Sequence, residues 1–123
     1  VVVHGVWLSQ SSDVGDAASE MLNILIHRGS TSGSGGSTPT AAPMSLGDAA
    51  FGGTVRANNT TQSTEGTILF SWDWHIAAGF QWIPTPEMRP VISPSGRLII
   101  EMQSTPADSL TLSGTVVFEE IGG

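Results

Sequence analysis

Residues 68–76 read Ile-Leu-Phe-Ser-Trp-Asp-Trp-His-Ile, and this run constrains the fold more than any other feature of the chain. Ile68, Phe70, Trp72, Trp74 and Ile76 share one face, while Leu69, Ser71, Asp73 and His75 share the other. A period of two is the signature of a strand with one face buried. The same alternation recurs where Leu98, Ile100 and Met102 are set against Arg97, Ile99, Glu101 and Gln103. It recurs again where Leu110, Leu112, Val116 and Phe118 oppose Thr111, Ser113, Thr115, Val117 and Glu119. Residues 1–8 and 21–28 are apolar runs with β-branched content, as expected of strands covered on both faces. No window of about 11 residues keeps a 3.6 period free of Gly, Pro or a Ser/Thr cluster. One or two helical turns over 13–21 are the most that is expected.

The segments between these runs have turn and loop chemistry. Residues 29–40 are Gly/Ser-rich and bury too little apolar area to offset their ordering entropy, so a mobile loop is expected in a lone subunit. Residues 58–66 form a second polar loop. Pro84, Pro86 and Pro90 stiffen an extended connection, because each ring fixes its own φ and restricts the residue before it. Ser93-Pro94-Ser95-Gly96 predicts a tight turn, and residues 104–109 make a further connection. Short strands at this spacing predict a single all-β domain over 1–123, a jelly-roll-like antiparallel β-sandwich of about seven or eight strands. The chain opens inside a strand-like run with no initiator methionine, and a preceding segment is expected.

Composition narrows the function. Four arginines and no lysine stand against eleven acids, for a net charge of −7. Phosphate binding needs a basic footprint, so neither nucleic acid nor an anionic membrane is an expected partner. Charged residues make up 12% of the chain, against about 25% in ordinary soluble domains. A surface so poor in charge suits a chain that is partly covered by neighbouring subunits. There is no cysteine, hence no disulfide framework and no thiolate.

Chemistry-bearing residues are few and do not assemble into a motif. His4, His27 and His75, with Asp73 or Glu101, are the conceivable metal ligands, and Asp73 and His75 share a strand face. The plainer reading pairs Asp73 with His75 on a solvent or interface face and treats His4 as a satisfied core or interface histidine. Glu119 and Glu120 point to opposite faces and cannot share a substrate. No serine sits in Gly-x-Ser-x-Gly, and the Gly-rich loop lacks the lysine of a phosphate cradle. No enzymatic activity and no catalytic, cofactor or metal site is expected; the enzyme alternative is a cupin-like metal site at Asp73 and His75. Trp72 and Trp74, beside Phe70 and Ile68, read as core, with a sugar-stacking platform as the alternative. Trp7 is expected on the face of Val1 and Val3. Asn58-Asn59-Thr60-Thr61 holds overlapping glycosylation sequons, or is simply a polar loop.

The C-terminal run 106–122 (PADSLTLSGTVVFEEIG) resembles the ending of small structural proteins of tailed phages and prophages. So do residues 10–17 (QSSDVGDA) followed by a strand ending in His27-Arg28-Gly29, the Gly/Ser/Thr-Pro loop, Gly47-Asp48-Ala49-Ala50 and residues 79–90 (GFQWIPTPEMRP). These segments span most of the chain but carry no catalytic content. The resemblance implies a capsid decoration, or cement, protein on the outer surface of the virion. Its implied partners are the major capsid protein and copies of itself, a trimer being the default. A tail-fibre or receptor-binding module that recognises cell-surface carbohydrate is the alternative. The expected subunit or capsid contacts are Val1, Val3 and Trp7 in the first strand, Leu22, Ile24 and Ile26 in the second, and Ser34 and Pro39 in the loop.

Overall fold

The computed structural model describes residues 1–12 and 20–121. Six strands form among them: β1 (Val2–Gln10), β2 (Met21–Arg28), β3 (Ile68–His75), β4 (Phe80–Trp82), β5 (Leu98–Met102) and β6 (Leu112–Glu119). They make two antiparallel three-stranded sheets, β4-β1-β6 and β3-β2-β5. The fold is all-β, and among the described residues the one helical element is a 3-10 turn at Pro86–Met88. Six strands form where seven or eight are expected, because residues 29–67 contribute only isolated bridges, Ser34 to Thr61 and Ser37 to Ala57. The helical turn expected over 13–21 falls almost wholly outside the described residues, and Met21 itself opens β2.

Both sheets contribute to one core. Val3 and Val6 from β1, Leu22, Ile24 and Ile26 from β2, Trp74 from β3, Ile76, and Phe80 from β4 are all buried in a single cluster. β2 lies at the centre of its sheet and is covered on both faces, as its unbroken apolar run requires. Its inward face carries Leu22, Ile24 and Ile26, while Leu25 and His27 on the other face are also buried. The polar segment at 63–66 reaches that second face: the Gly66 N–H lies 3.5 Å from His27 Nδ1, and Gln103 Nε2 lies 3.4 Å from a Glu65 carboxylate oxygen.

β1 contains a bulge. Val3 is opposite Phe118 and Gly5 is opposite Val117, so His4 is an extra residue in the register. The insertion reverses the facing of everything after it. Val3 and Val6 both point inward, and Trp7 turns to the outer face of its sheet, not to the face of Val3 as the unbroken alternation predicts. The turn at Ser93–Gly96 forms as expected: the Gly96 N–H donates to the Ser93 carbonyl at 2.8 Å, and Ser95 adopts φ 64°. That is the sign a type II turn needs after its proline.

Candidate interaction surface

The polar candidates separate once the chain folds. His4 Nε2 lies 3.2 Å from Glu119 Oε2, and His27 Nε2 lies 2.9 Å from Glu101 Oε2 in the interior. His75 Nδ1 accepts the Ala77 N–H at 3.1 Å. Asp73 accepts from Asn23 Nδ2 at 2.8 Å across the β2–β3 pair. Among the described residues no three His, Asp or Glu side chains gather to hold a metal. Glu120 Oε2 accepts the Gly52 N–H at 3.4 Å.

The tryptophans divide between core and surface. Trp74 is 2% exposed and its indole N–H donates to the Ala78 carbonyl. Trp72 is 55% exposed, which corrects its expected place in the core. Trp72 lies on β3, an edge strand of its sheet, and the strand that covers the neighbouring Phe70, β4, is one the alternation pattern does not predict. Only three residues long, it brings Phe80 and Trp82 over Phe70, at centroid distances of 6.5 and 5.1 Å. Trp72 lies outside that cover and stacks parallel to Phe70 at 6.2 Å.

The expected subunit contacts also divide. Val3, Leu22, Ile24 and Ile26 are at most 2% exposed within the lone chain. They are consumed by the chain's own core and have no surface left to offer a neighbour. Val1 and Trp7 are half-buried, whereas Ser34 and Pro39 are exposed. The Val1 nitrogen donates to the Ile92 carbonyl at 2.9 Å, which ties the approach to β1 to the connection following β4.

The most exposed apolar side chains, Leu46, Met44 and Met88, lie outside the strands. Residues 29–67 leave β2 and return to β3 as a long arm rather than as an unpartnered loop. Arg97 holds its base, with Nε on Ser32 Oγ at 2.8 Å, and the two bridges zip its stem. Gly35 and Asn58 take positive φ within that stem, the left-handed geometry that favours Gly and Asn. Farther out, Phe51 packs edge-on against Phe118 at 4.8 Å and anchors the return limb on β6. Between these attachments Met44 and Leu46 stand in solvent, 90% and 105% exposed. Ile83 and Met88, on the proline-rich connection, are 56% and 71% exposed.

These exposed side chains offer apolar surface for attachment. Met44 and Leu46 sit at a bend and turn, where the Asp48 N–H donates to the Ser45 carbonyl at 3.2 Å, and Met88 sits in the 3-10 turn. Among the described residues no helix is long and apolar enough to cross a membrane. Comparison with protein-family models, with curated proteins and with solved structures finds no match to this chain.

Proposed function

We propose that the chain is a virion structural protein of the capsid-decoration kind. In this reading the two sheets form a jelly-roll-like sandwich on the outer surface of a preassembled shell, touching the major capsid protein and copies of itself, with a trimer as the working stoichiometry. The observation that carries the reading is the arm, on which Met44 and Leu46 stand in solvent with no cover from the chain itself. Burial of each side chain on a neighbour contributes about 1.5–3 kcal/mol. Repetition of the contact around a symmetric shell raises the effective concentration of every further contact. The sequence resemblance to tailed-phage structural proteins and the net charge of −7 agree with an outward position, since a lining that faces packaged DNA favours basic residues.

Electron cryo-microscopy of the native particle tests the proposal, together with the mass of the full chain in solution. The expected result is density for the chain at symmetry-related positions, with 44–46 seated on a neighbour. Met44→Asp with Leu46→Asp is expected to abolish attachment while leaving the thermal midpoint unchanged. A free monomer at every concentration, absent from the particle, would overturn the reading.

A further inference from the structure

The outer face of the β4-β1-β6 sheet carries a second feature, independent of the arm and of any virion role. The bulge at His4 places Trp7 on this face, and the indole lies down along its own strand over Gly5. A Cβ at position 5 would fall 2.6 Å from Cη2 and 2.8 Å from Cζ3 of Trp7. Only glycine lets the ring rest against the backbone, so the six-membered ring lies along the sheet.

The register then surrounds the ring with neutral polar groups. Trp7 is opposite Gln81 on β4 and Thr115 on β6, and Ser9 is opposite Ser113. These five side chains belong to the lining of a shallow groove of about 410 Å³, and no charged residue lines it. β4 and β6 are the two edges of this sheet, so the groove crosses all three strands.

We propose that this groove binds a neutral oligosaccharide, with Trp7 as the stacking platform. The C–H face of a pyranose is apolar and flat enough to lie on an indole, while its equatorial hydroxyls project sideways. Around Trp7 those hydroxyls meet one amide and three hydroxyls, groups that both donate and accept. An anionic or cationic ligand would find no counter-charge in the groove, and an apolar ligand would leave the ring of hydroxyls unpaired. A neutral polyol matches both halves of the surface.

The test is calorimetric titration of the full chain with cellotetraose, maltotetraose, laminaritetraose, mannotetraose and chitotetraose. Saturable binding to at least one is expected, at least tenfold weaker in Trp7→Ala and several-fold weaker in Gln81→Ala, with Trp72→Ala unchanged. Gly5→Ala, which displaces the ring without removing it, is expected to weaken binding as Trp7→Ala does. Circular dichroism checks each fold; should Trp7→Ala fail to fold, Gln81→Ala and Thr115→Val decide. The proposal is overturned by any of three results: no binding to all five sugars, binding that survives the groove variants, or binding lost only in Trp72→Ala. It is also overturned if the groove proves to be covered by a second copy in solution. The virion reading stands or falls separately, on the particle.

Discussion

His27 is wholly buried, and its imidazole has a defined partner for each nitrogen. Nε2 meets Glu101 Oε2 at 2.9 Å, and Nδ1 lies 3.3 Å from the Arg28 carbonyl. Removal of one member leaves the other buried and unpaired, which costs about 1–3 kcal/mol. His27→Ala and Glu101→Ala are each expected to destabilise by that order in urea unfolding, with His27→Ala adding a cavity penalty. The double variant is expected to cost less than the sum, because neither polar group is then orphaned. At the opposite extreme of exposure, Glu87 titrates below the usual carboxylate value. A backbone hydrogen bond at its own residue contributes most, then the Thr85 hydroxyl, with a smaller contribution from the Arg89 charge. A lowered carboxylate value means that the stabilisation is present at neutral pH and is lost as pH falls through the folded-state value. A side-chain NMR titration should show a depressed midpoint for Glu87, and Thr85→Val should move it back towards the ordinary value.

Among the elements, the arm and the segment that re-enters β3 have different energetic standing. The arm is pinned by few contacts, and the chief apolar one is Phe51 on Phe118. Phe51→Ala is expected to raise protease cleavage and amide exchange across 38–56 many-fold, while the unfolding of the two sheets scarcely changes. Equal protection of that segment in the variant and the parent would show that Phe51 is not the anchor. Gly66 is under tighter constraint. A Cβ there would fall 2.0 Å from the Arg28 carbonyl oxygen, a backbone atom that cannot step aside. Gly66→Ala is therefore expected to displace the segment beside His27 and lower the thermal midpoint. The many exposed serines of the arm, by contrast, should tolerate alanine within about 0.5 kcal/mol.

For the whole molecule, the important fact is that two three-stranded sheets share one cluster of buried side chains. Neither sheet can bury its inner face without the other, so both should melt in one transition. Tryptophan fluorescence and far-ultraviolet circular dichroism should give coincident unfolding curves; separate midpoints would contradict a common core. Ile26, wholly buried at the centre of that core, is the sensitive position: Ile26→Ala is expected to cost about 2–5 kcal/mol. The low charge has its consequence at this scale too. With 12% charged residues and side chains such as Met44 and Leu46 in solvent, the chain exposes apolar surface that the proposed contact with a neighbour would cover.

Local periodicity was enough to identify five of the six strands. β2 coincides with the apolar run 21–28, and β3 and β5 coincide with alternating runs, because the two-residue period and β-branched content act within a single segment. The three residues of β4 are too short to show a period, and alternation alone does not show that Trp72 stands exposed on an edge strand. What lay beyond the sequence were the effects of register and distance. One extra residue at His4 turns Trp7 outward, and only pairing with β6 reveals it. Leu22, Ile24 and Ile26 belong to the chain's own core because a second sheet covers them, and apolar character by itself does not distinguish that cover from a neighbouring subunit. Met44 and Leu46, unremarkable in a Gly/Ser-rich stretch, become the most exposed apolar groups because the arm's attachments at Arg97 and Phe118 hold them clear of both sheets. Local patterns act through neighbours in the chain, whereas bulges, cover and attachment are set by residues that meet only when the chain has folded.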